Sequence, residues 1–288
     1  MEPAVKKTIC IMISIVLLSF VCVSAASAEN TNTFRNEYGS FDYKILPDGT
    51  ACITGYLGFY NLVVIPAEID GIKVSRIDDS AFYWQDYIEE LIVTEGISEI
   101  GSDAFCACRN LKKVTLPDTI ITVESNPFSS CYDLEEIVLS PDHPALEMMN
   151  GALITKADKC LVCCLYGILP EKYEIPEGTE IIGPNAFHFC TELTEISIPG
   201  SVQIIGYDAF SQCKKITSLT IPEGVTAIGD YAFDCCLELS SITLPESLNY
   251  IGKGAFQSGP DRVYHVRPGS YAESYCSEKG YTFDSINK

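Results

Sequence analysis

The chain has 288 residues, with 19 Lys and Arg against 39 Asp and Glu, a formal charge of −20 and 14 cysteines. So strong an acidic balance keeps a chain soluble and disfavours nucleic acid and anionic membrane surfaces as partners. The length admits one large domain or two ordinary ones.

In chain order, residues 1–28 read as a signal peptide. Lys6 and Lys7 precede an apolar run from Thr8 to about Val23, and Ala26-Ser27-Ala28 supplies the small residues of a cleavage site. Cleavage is expected after Ala28, giving a secreted or cell-surface-associated protein; the alternative is an uncleaved anchor. The run is short for a bilayer span, and no later stretch is long and apolar enough, so no membrane span is expected in the mature chain. Removing Glu2, Lys6 and Lys7 leaves 17 basic and 38 acidic residues, a charge of −21.

Residues 29–66 form an N-terminal segment with a capping hairpin. In FDYKILPDGTACITGY, Pro47-Asp48-Gly49 lies between two alternating runs, which predicts a tight turn between paired strands.

A repeat then governs residues 67–268. Aligned on one phenylalanine, the motif reads DDSAF at Phe82, GSDAF at Phe105, ESNPF at Phe128, GPNAF at Phe187, GYDAF at Phe210, GDYAF at Phe233 and GKGAF at Phe256, with intervals of 23, 23, 59, 23, 23 and 23 residues. A constant period of this length is the mark of a solenoid. Each repeat carries a short alternating run closed by proline, such as LKKVTLP, LTEISIP or ITSLTIP, which predicts a half-buried strand ended where the ladder loses a donor. A second apolar pair follows, then glycine, then a small polar residue before Ala-Phe, the expected N-cap of one helical turn. Stacked coils align their strands in a parallel sheet, about 4.8 Å per coil. The interval of 59 exceeds the period by 36, so the coil at about 141–176 is irregular, with a hairpin predicted around Lys156-Ala157-Asp158-Lys159. Residues 269–288 form a C-terminal cap, with a helix from Ser270 to about Lys279, Gly280 as its stop and a last strand at Tyr281-Thr282-Phe283.

The pattern V-x-x-I-G-x-x-A-F-x-x-C-x-x-L-x-x-I-x-I-P, clearest in GSVQIIGYDAFSQCKKITSLTIP and GVTAIGDYAFDCCLELSSITLP, resembles the BspA-like leucine-rich repeat family of secreted and surface bacterial proteins. The closing RPGSYAESYCSEKGYTF is similar to the usual end of such proteins. Departures are Pro127 for alanine, Glu124 and Asp78 for the glycine, and Gly259 for the cysteine. The resemblance implies a leucine-rich-repeat solenoid with capped ends, a parallel β-sheet on the concave face, short strands and single helical turns on the other side, and a role in adhesion.

Cys108, Cys131, Cys190, Cys213 and Cys236 each stand three residues after a repeat phenylalanine, on the same face of a turn, and read as an inward structural ladder. Cys160-x-x-Cys163-Cys164 has metal-like spacing but lies in an alternating strand whose neighbours face opposite ways, and no second CxxC exists. No metal and no cofactor are expected; disulfide pairing is open. Cys106 has no counterpart in other repeats.

The chain holds no GxSxG, HExxH or Walker-type loop, and its three histidines, His143, His188 and His265, are scattered, with none expected in a nucleophile arrangement. No catalytic residue is assigned and no enzyme is expected. Between the inward residues of each long strand, outward columns hold Glu90 and Ile92, Lys113 and Thr115, Glu136 and Val138, Glu195 and Ser197, Ser218 and Thr220, Ser241 and Thr243. These columns are the candidate binding face, or else ordinary solvated residues. Tyr83, Trp84 and Tyr87 form a candidate aromatic anchor, the alternative being that they pack under the N-terminal cap. The expected function is a non-enzymatic interaction protein with an extracellular or cell-surface protein partner. A glycan partner is the alternative, as is, from another class, an enzyme with a site in the irregular coil.

Overall fold

The computed structural model describes residues 31–286; the export signal read at residues 1–28 lies outside them. Three antiparallel strands open the fold, Asn32–Asn36, Gly39–Ile45 and Ala51–Leu57. The last two join across Pro47-Asp48-Gly49, where Gly49 takes φ 86° and Asp48 Oδ1 accepts from Thr50 N at 2.9 Å. Ala51–Leu57 then pairs in parallel with Ile72–Ile77, and this step turns the meander into a stack of coils.

Each coil contributes to two strand series. The long strands form three ladders: Leu62–Ile65, Glu90–Val93, Lys113–Thr115 and Glu136–Val138; then Lys172–Glu174 and Glu195–Ser197; then Ser218–Thr220, Ser241–Thr243, Val263–Val266 and Thr282–Ser285. The short series has two residues per coil, as in Ile204–Ile205 beside Ala227–Ile228. Alternation decides the faces: Leu219 and Ile221 are buried while Ser218 and Thr220 are exposed.

The repeat phenylalanines stack down the core. Ring centroids are 5.2 Å apart for Phe82–Phe105, 5.5 Å for Phe105–Phe128, 5.0 Å for Phe187–Phe210, 5.1 Å for Phe210–Phe233 and 5.4 Å for Phe233–Phe256. The repeat glycine is set by close approach: a Cβ on Gly229 would stand 2.6 Å from the Gly206 carbonyl carbon.

The helical turn predicted at each corner is tighter than an α-helix. It consists of i→i+3 bonds, such as Cys213 N to Phe210 O at 3.2 Å, bracketed by two left-handed residues. Asp208 (φ 50°) and Gln212 (φ 66°) play this part around Phe210, as do Ser80 and Trp84 around Phe82. The residue before Ala-Phe is therefore a left-handed turn residue and not an N-cap. This turn points every second N–H group along the stack. Asp208, Phe210 and Gln212 donate to Asp230, Ala232 and Asp234 of the next coil at 3.0, 2.8 and 2.9 Å.

The 59-residue interval has a specific geometry. At the corner, residues 59 apart touch: Asn126 Nδ2 donates to Asn185 O at 2.9 Å, and Ser129 Oγ lies 3.2 Å from His188 Nδ1. The extra residues leave the corner and build Leu146–Met149, Ala152–Thr155 and Cys160–Cys164, of which the last two form the predicted hairpin. Both faces of this hairpin are buried. Leu153, Val162 and Cys163 belong to the core that runs back to Phe41, whereas Ala152, Ile154, Leu161 and Cys164 belong to the core that runs on to Cys276. The hairpin is a wall between two hydrophobic cores.

The C-terminal helix spans Tyr271–Lys279, with Ser270 Oγ accepting from Glu273 N and Gly280 at φ 69° closing it. Arg262 ends the corner column. It is buried, and its guanidinium donates to Leu239 O at 3.0 Å, Cys236 O at 3.3 Å, Ser258 O at 3.2 Å and, more closely, Phe256 O. A Cβ on Gly259 would stand 2.1 Å from Arg262 Nη2, so the missing cysteine makes room for this arginine.

Candidate functional site

Among the ladder thiols, Cys108, Cys131, Cys213 and Cys236 donate to Phe82 O, Phe105 O, Phe187 O and Phe210 O at 3.1, 3.1, 3.1 and 3.3 Å. Each therefore satisfies a buried carbonyl of the preceding coil. Cys190 instead faces Cys164, Sγ to Sγ 3.5 Å, because the irregular coil has no corner phenylalanine there. All twelve cysteines among the described residues are free. Cys163 and Cys164 sit on opposite sides of the wall, so they diverge as metal ligands, and no group of three or more metal-ligating side chains occurs among the described residues. Cys106 is half-buried and its thiol is pushed up to about 12, by burial first and then by Asp103, which makes it less reactive than an ordinary cysteine.

The outward columns stand on the long-strand face. Glu136, Glu195, Ser197, Ser218 and Thr220 are exposed; Glu90, Ile92, Lys113, Thr115, Val138, Ser241 and Thr243 are half-buried between neighbouring columns. Two of the acids are matched within the face: Lys113 Nζ lies 3.3 Å from Glu136 Oε2 and Lys172 Nζ 2.6 Å from Glu195 Oε2. Exposed pairs of this kind contribute little stability, and with Glu90, Glu174 and Asp284 also on the long strands the face stays acidic.

The aromatic cluster is at the surface and not under the cap. Phe82 and Ile88 take the inward slots of this corner, which leaves Tyr83, Trp84 and Tyr87 outside, Trp84 at 55% exposure. Arg109 lies over the Trp84 ring at 5.2 Å, and Trp84 Nε1 donates to Asp86 Oδ2 at 3.1 Å. Sequence reasoning missed the other half of the patch, because it precedes the repeat. Phe59, exposed at 73%, meets Tyr87 edge-on at 5.1 Å, and Leu57, Tyr60 and Leu62 are exposed beside it. Leu57, Phe59 and Tyr60 also line an open cleft of about 510 Å³ with Arg35, Asn36 and Ser40.

The three histidines have different fates. His143 is buried, with Nε2 3.0 Å from Pro117 O and Nδ1 accepting from Leu146 N. Burial pushes His188 down to about 4. His265 sits on the long-strand face between Ser241 and Asp284, a grouping that no linear spacing reveals.

On the corner, the Asp103 carboxyl is pushed up from its ordinary 3.8 to about 6, by burial and then by Asp79 and Asp208. The folded chain thus holds this proton more tightly than the unfolded chain. The group favours folding below pH 3.8, and that contribution is lost as pH rises through about 6. Asp103→Asn is expected to add about 1 kcal/mol at pH 7, discounted for partial exposure, and to flatten the slope of Tm between pH 4 and 6. Asn185 already holds the equivalent left-handed position at φ 59°. A pH series of thermal melts on both proteins checks this; an unchanged slope would count against the assignment.

Residues 65–148 and 163–266 match the BspA type leucine-rich repeat region, in 6 copies. The chain belongs to the BspA-type leucine-rich repeat family. Among solved structures, this BspA-type chain is similar to the pneumococcal vaccine antigen PcpA, at 14% identity and TM-score 0.58 over 89% of this chain and 99% of that one. It is similar to a leucine-rich repeat protein of Bacteroides ovatus, at 26% identity and TM-score 0.48 over 80% and 61% of the two chains. A leucine-rich cell surface protein of Faecalibacterium prausnitzii matches at 18% identity and TM-score 0.32 over 91% and 100%. The first of these supports the fold. No curated protein matches the chain. No helix among the described residues of this BspA-type chain is long and apolar enough to cross a membrane.

Proposed function

We propose that this BspA-type protein is exported and binds a protein partner at a cell surface, in adhesion or recognition. The long-strand face would make the contact, with the aromatic patch at its N-terminal end as anchor. The observation that carries this reading is the patch itself. Phe59, Tyr60, Tyr83, Trp84 and Tyr87 expose their rings on one set of neighbouring coils, and the core needs none of them. Rigid exposed aromatics supply contact area at small entropic cost and mark interaction sites. The sheet beside them adds hydroxyls and two matched charge pairs. The same rings and the cleft beside Arg35 favour a glycan as the second reading, through stacking on sugar faces.

Capture from extracellular matrix or cell-surface extract tests both surfaces. Phe59→Ala, Trp84→Ala and Tyr87→Ala together are expected to weaken capture at least about 10-fold, since buried anchors of this type carry about 2 kcal/mol or more each. Changing Glu136, Glu195 and Thr220 together tests the sheet. Unchanged capture by both triple variants would remove the proposed face, and capture abolished by glycosidase treatment of the extract would select the glycan.

A further inference from the structure

Ser241, His265 and Asp284 come from three successive parallel strands of the last ladder. Ser241 Oγ lies 3.0 Å from His265 Nε2, and His265 Nδ1 lies 2.5 Å from Asp284 Oδ1. When Nδ1–H is donated to the carboxylate, Nε2 is left as the acceptor facing the serine hydroxyl, which is the tautomer that a general base requires. We propose that this cluster is an acyl-transfer site acting on carboxylic esters, with Ser241 as nucleophile, His265 as general base and Asp284 as positioning residue.

Several features bear on the assignment. The His265 side chain is 28% exposed, so it is supported by its neighbours yet open to a ligand. Neither of the other two histidines has a carboxylate on its second nitrogen: His143 bonds backbone at both, and His188 meets Ser129. Thr243 stands directly beside His265 in the register, and Thr220 beside Thr243. Their hydroxyls have no partner among the described residues, so they are available to donate to a developing oxyanion. All of these groups project from an exposed strand face. The ester that fits is therefore one displayed on a polymer or protein surface laid along the ladder.

The chemistry closes without a cofactor. Ser241 Oγ bonds to the ester carbonyl carbon as its proton passes to His265 Nε2. The tetrahedral oxyanion collapses, the bond to the alkoxide breaks, and the imidazolium returns its proton to the departing alcohol. Water attacks the acyl-serine by the same route, releasing the acid and restoring Ser241. The site goes beyond the binding reading; it shares Thr220 with the sheet variant but nothing with the aromatic patch, so the Phe59, Trp84 and Tyr87 variant separates loss of capture from loss of acyl transfer.

A fluorophosphonate probe on the full chain, followed by peptide mass spectrometry, tests the proposal. The serine–phosphorus bond forms as fluoride leaves, so labelling reports an activated hydroxyl directly. Label is expected on Ser241, absent in Ser241→Ala and His265→Ala, and slowed at least about 10-fold in Asp284→Asn, which preserves shape but reverses the tautomer. Stoichiometric acetylation of Ser241 by p-nitrophenyl acetate should follow the same order, with thermal melts of the variants confirming that the fold persists. No label on Ser241 of the folded chain, or labelling indifferent to His265→Ala in a folded variant, overturns the assignment.

Discussion

Phe210→Ala is expected to cost about 4 kcal/mol of unfolding free energy, near the upper part of the range for removing a buried aromatic. Phe210 is fully buried and stacks on Phe187 at 5.0 Å and on Phe233 at 5.1 Å, so its loss weakens two interfaces at once. Collapse around the cavity is restricted, because the strand ladders on either side hold the coil spacing. The backbone of Phe210 is also engaged, with its carbonyl accepting from Cys236 Sγ at 3.3 Å and its N–H donating to Ala232. Urea denaturation followed by circular dichroism should show the loss, and native-state hydrogen exchange should place it in the coils after the wall, leaving Phe82 and Phe105 protected. A loss below about 1 kcal/mol would mean that the coils do not share a continuous core.

Arg262→Ala is the second large effect, about 3 kcal/mol, because it strips the donors from three buried carbonyls and from the more exposed Ser258 carbonyl at the end of the corner column. Among the described residues Arg262 has no carboxylate partner, and the carbonyl dipoles of Cys236, Leu239, Phe256 and Ser258 stabilise its charge instead. Arg262→Lys is expected to recover less than half of the loss, since one ammonium cannot reproduce a planar fork spread over four acceptors. Gly259→Ala should be destabilising for the separate reason of its clash with the guanidinium. Thermal melts of the three variants check the order Arg262→Ala below Arg262→Lys below the parent. Equal stability of Arg262→Ala and the parent would show that water replaces the arginine at no cost.

Much of the fold is legible in the sequence because each coil repeats the same steric demands. Only glycine fits where Gly206 and Gly229 approach the preceding coil, and only a large flat ring fills the Phe210 slot, so the period writes itself in residue types. The left-handed position two residues after the phenylalanine is different. Trp84, Ala107, Ser130, Phe189, Gln212, Cys235 and Ser258 all occupy it, so backbone context and not side-chain preference sets the conformation. The wall was readable as a hairpin, but its two-sided burial depends on which core each face meets. The candidate surfaces were readable in part. Outward columns follow from alternation alone, whereas Phe59 and Tyr60 precede the first repeat and carry no period. Ser241, His265 and Asp284 lie 24 and 19 residues apart, and only the register of the last ladder brings them into line.

The one-way run of corner hydrogen bonds has an electrical consequence. Peptide units, each with a dipole of about 3.5 D, are stacked head to tail from coil to coil, as they are within an α-helix, but here along the axis of the stack. The bonds from Ser80, Phe82 and Trp84 to Ser102, Ala104 and Cys106 point the same way as those from Tyr231, Phe233 and Cys235 to Lys253, Ala255 and Gln257. The run thins at the Phe128 coil, where Phe128 N turns to Asn126 Oδ1, but its sense is the same on both sides, so it leaves partial negative charge at the first coil and partial positive charge at the last. Cations are favoured near the Phe82 corner and anions near the Phe256 corner. A segment grafted onto one end would consequently meet a different field from the same segment grafted onto the other.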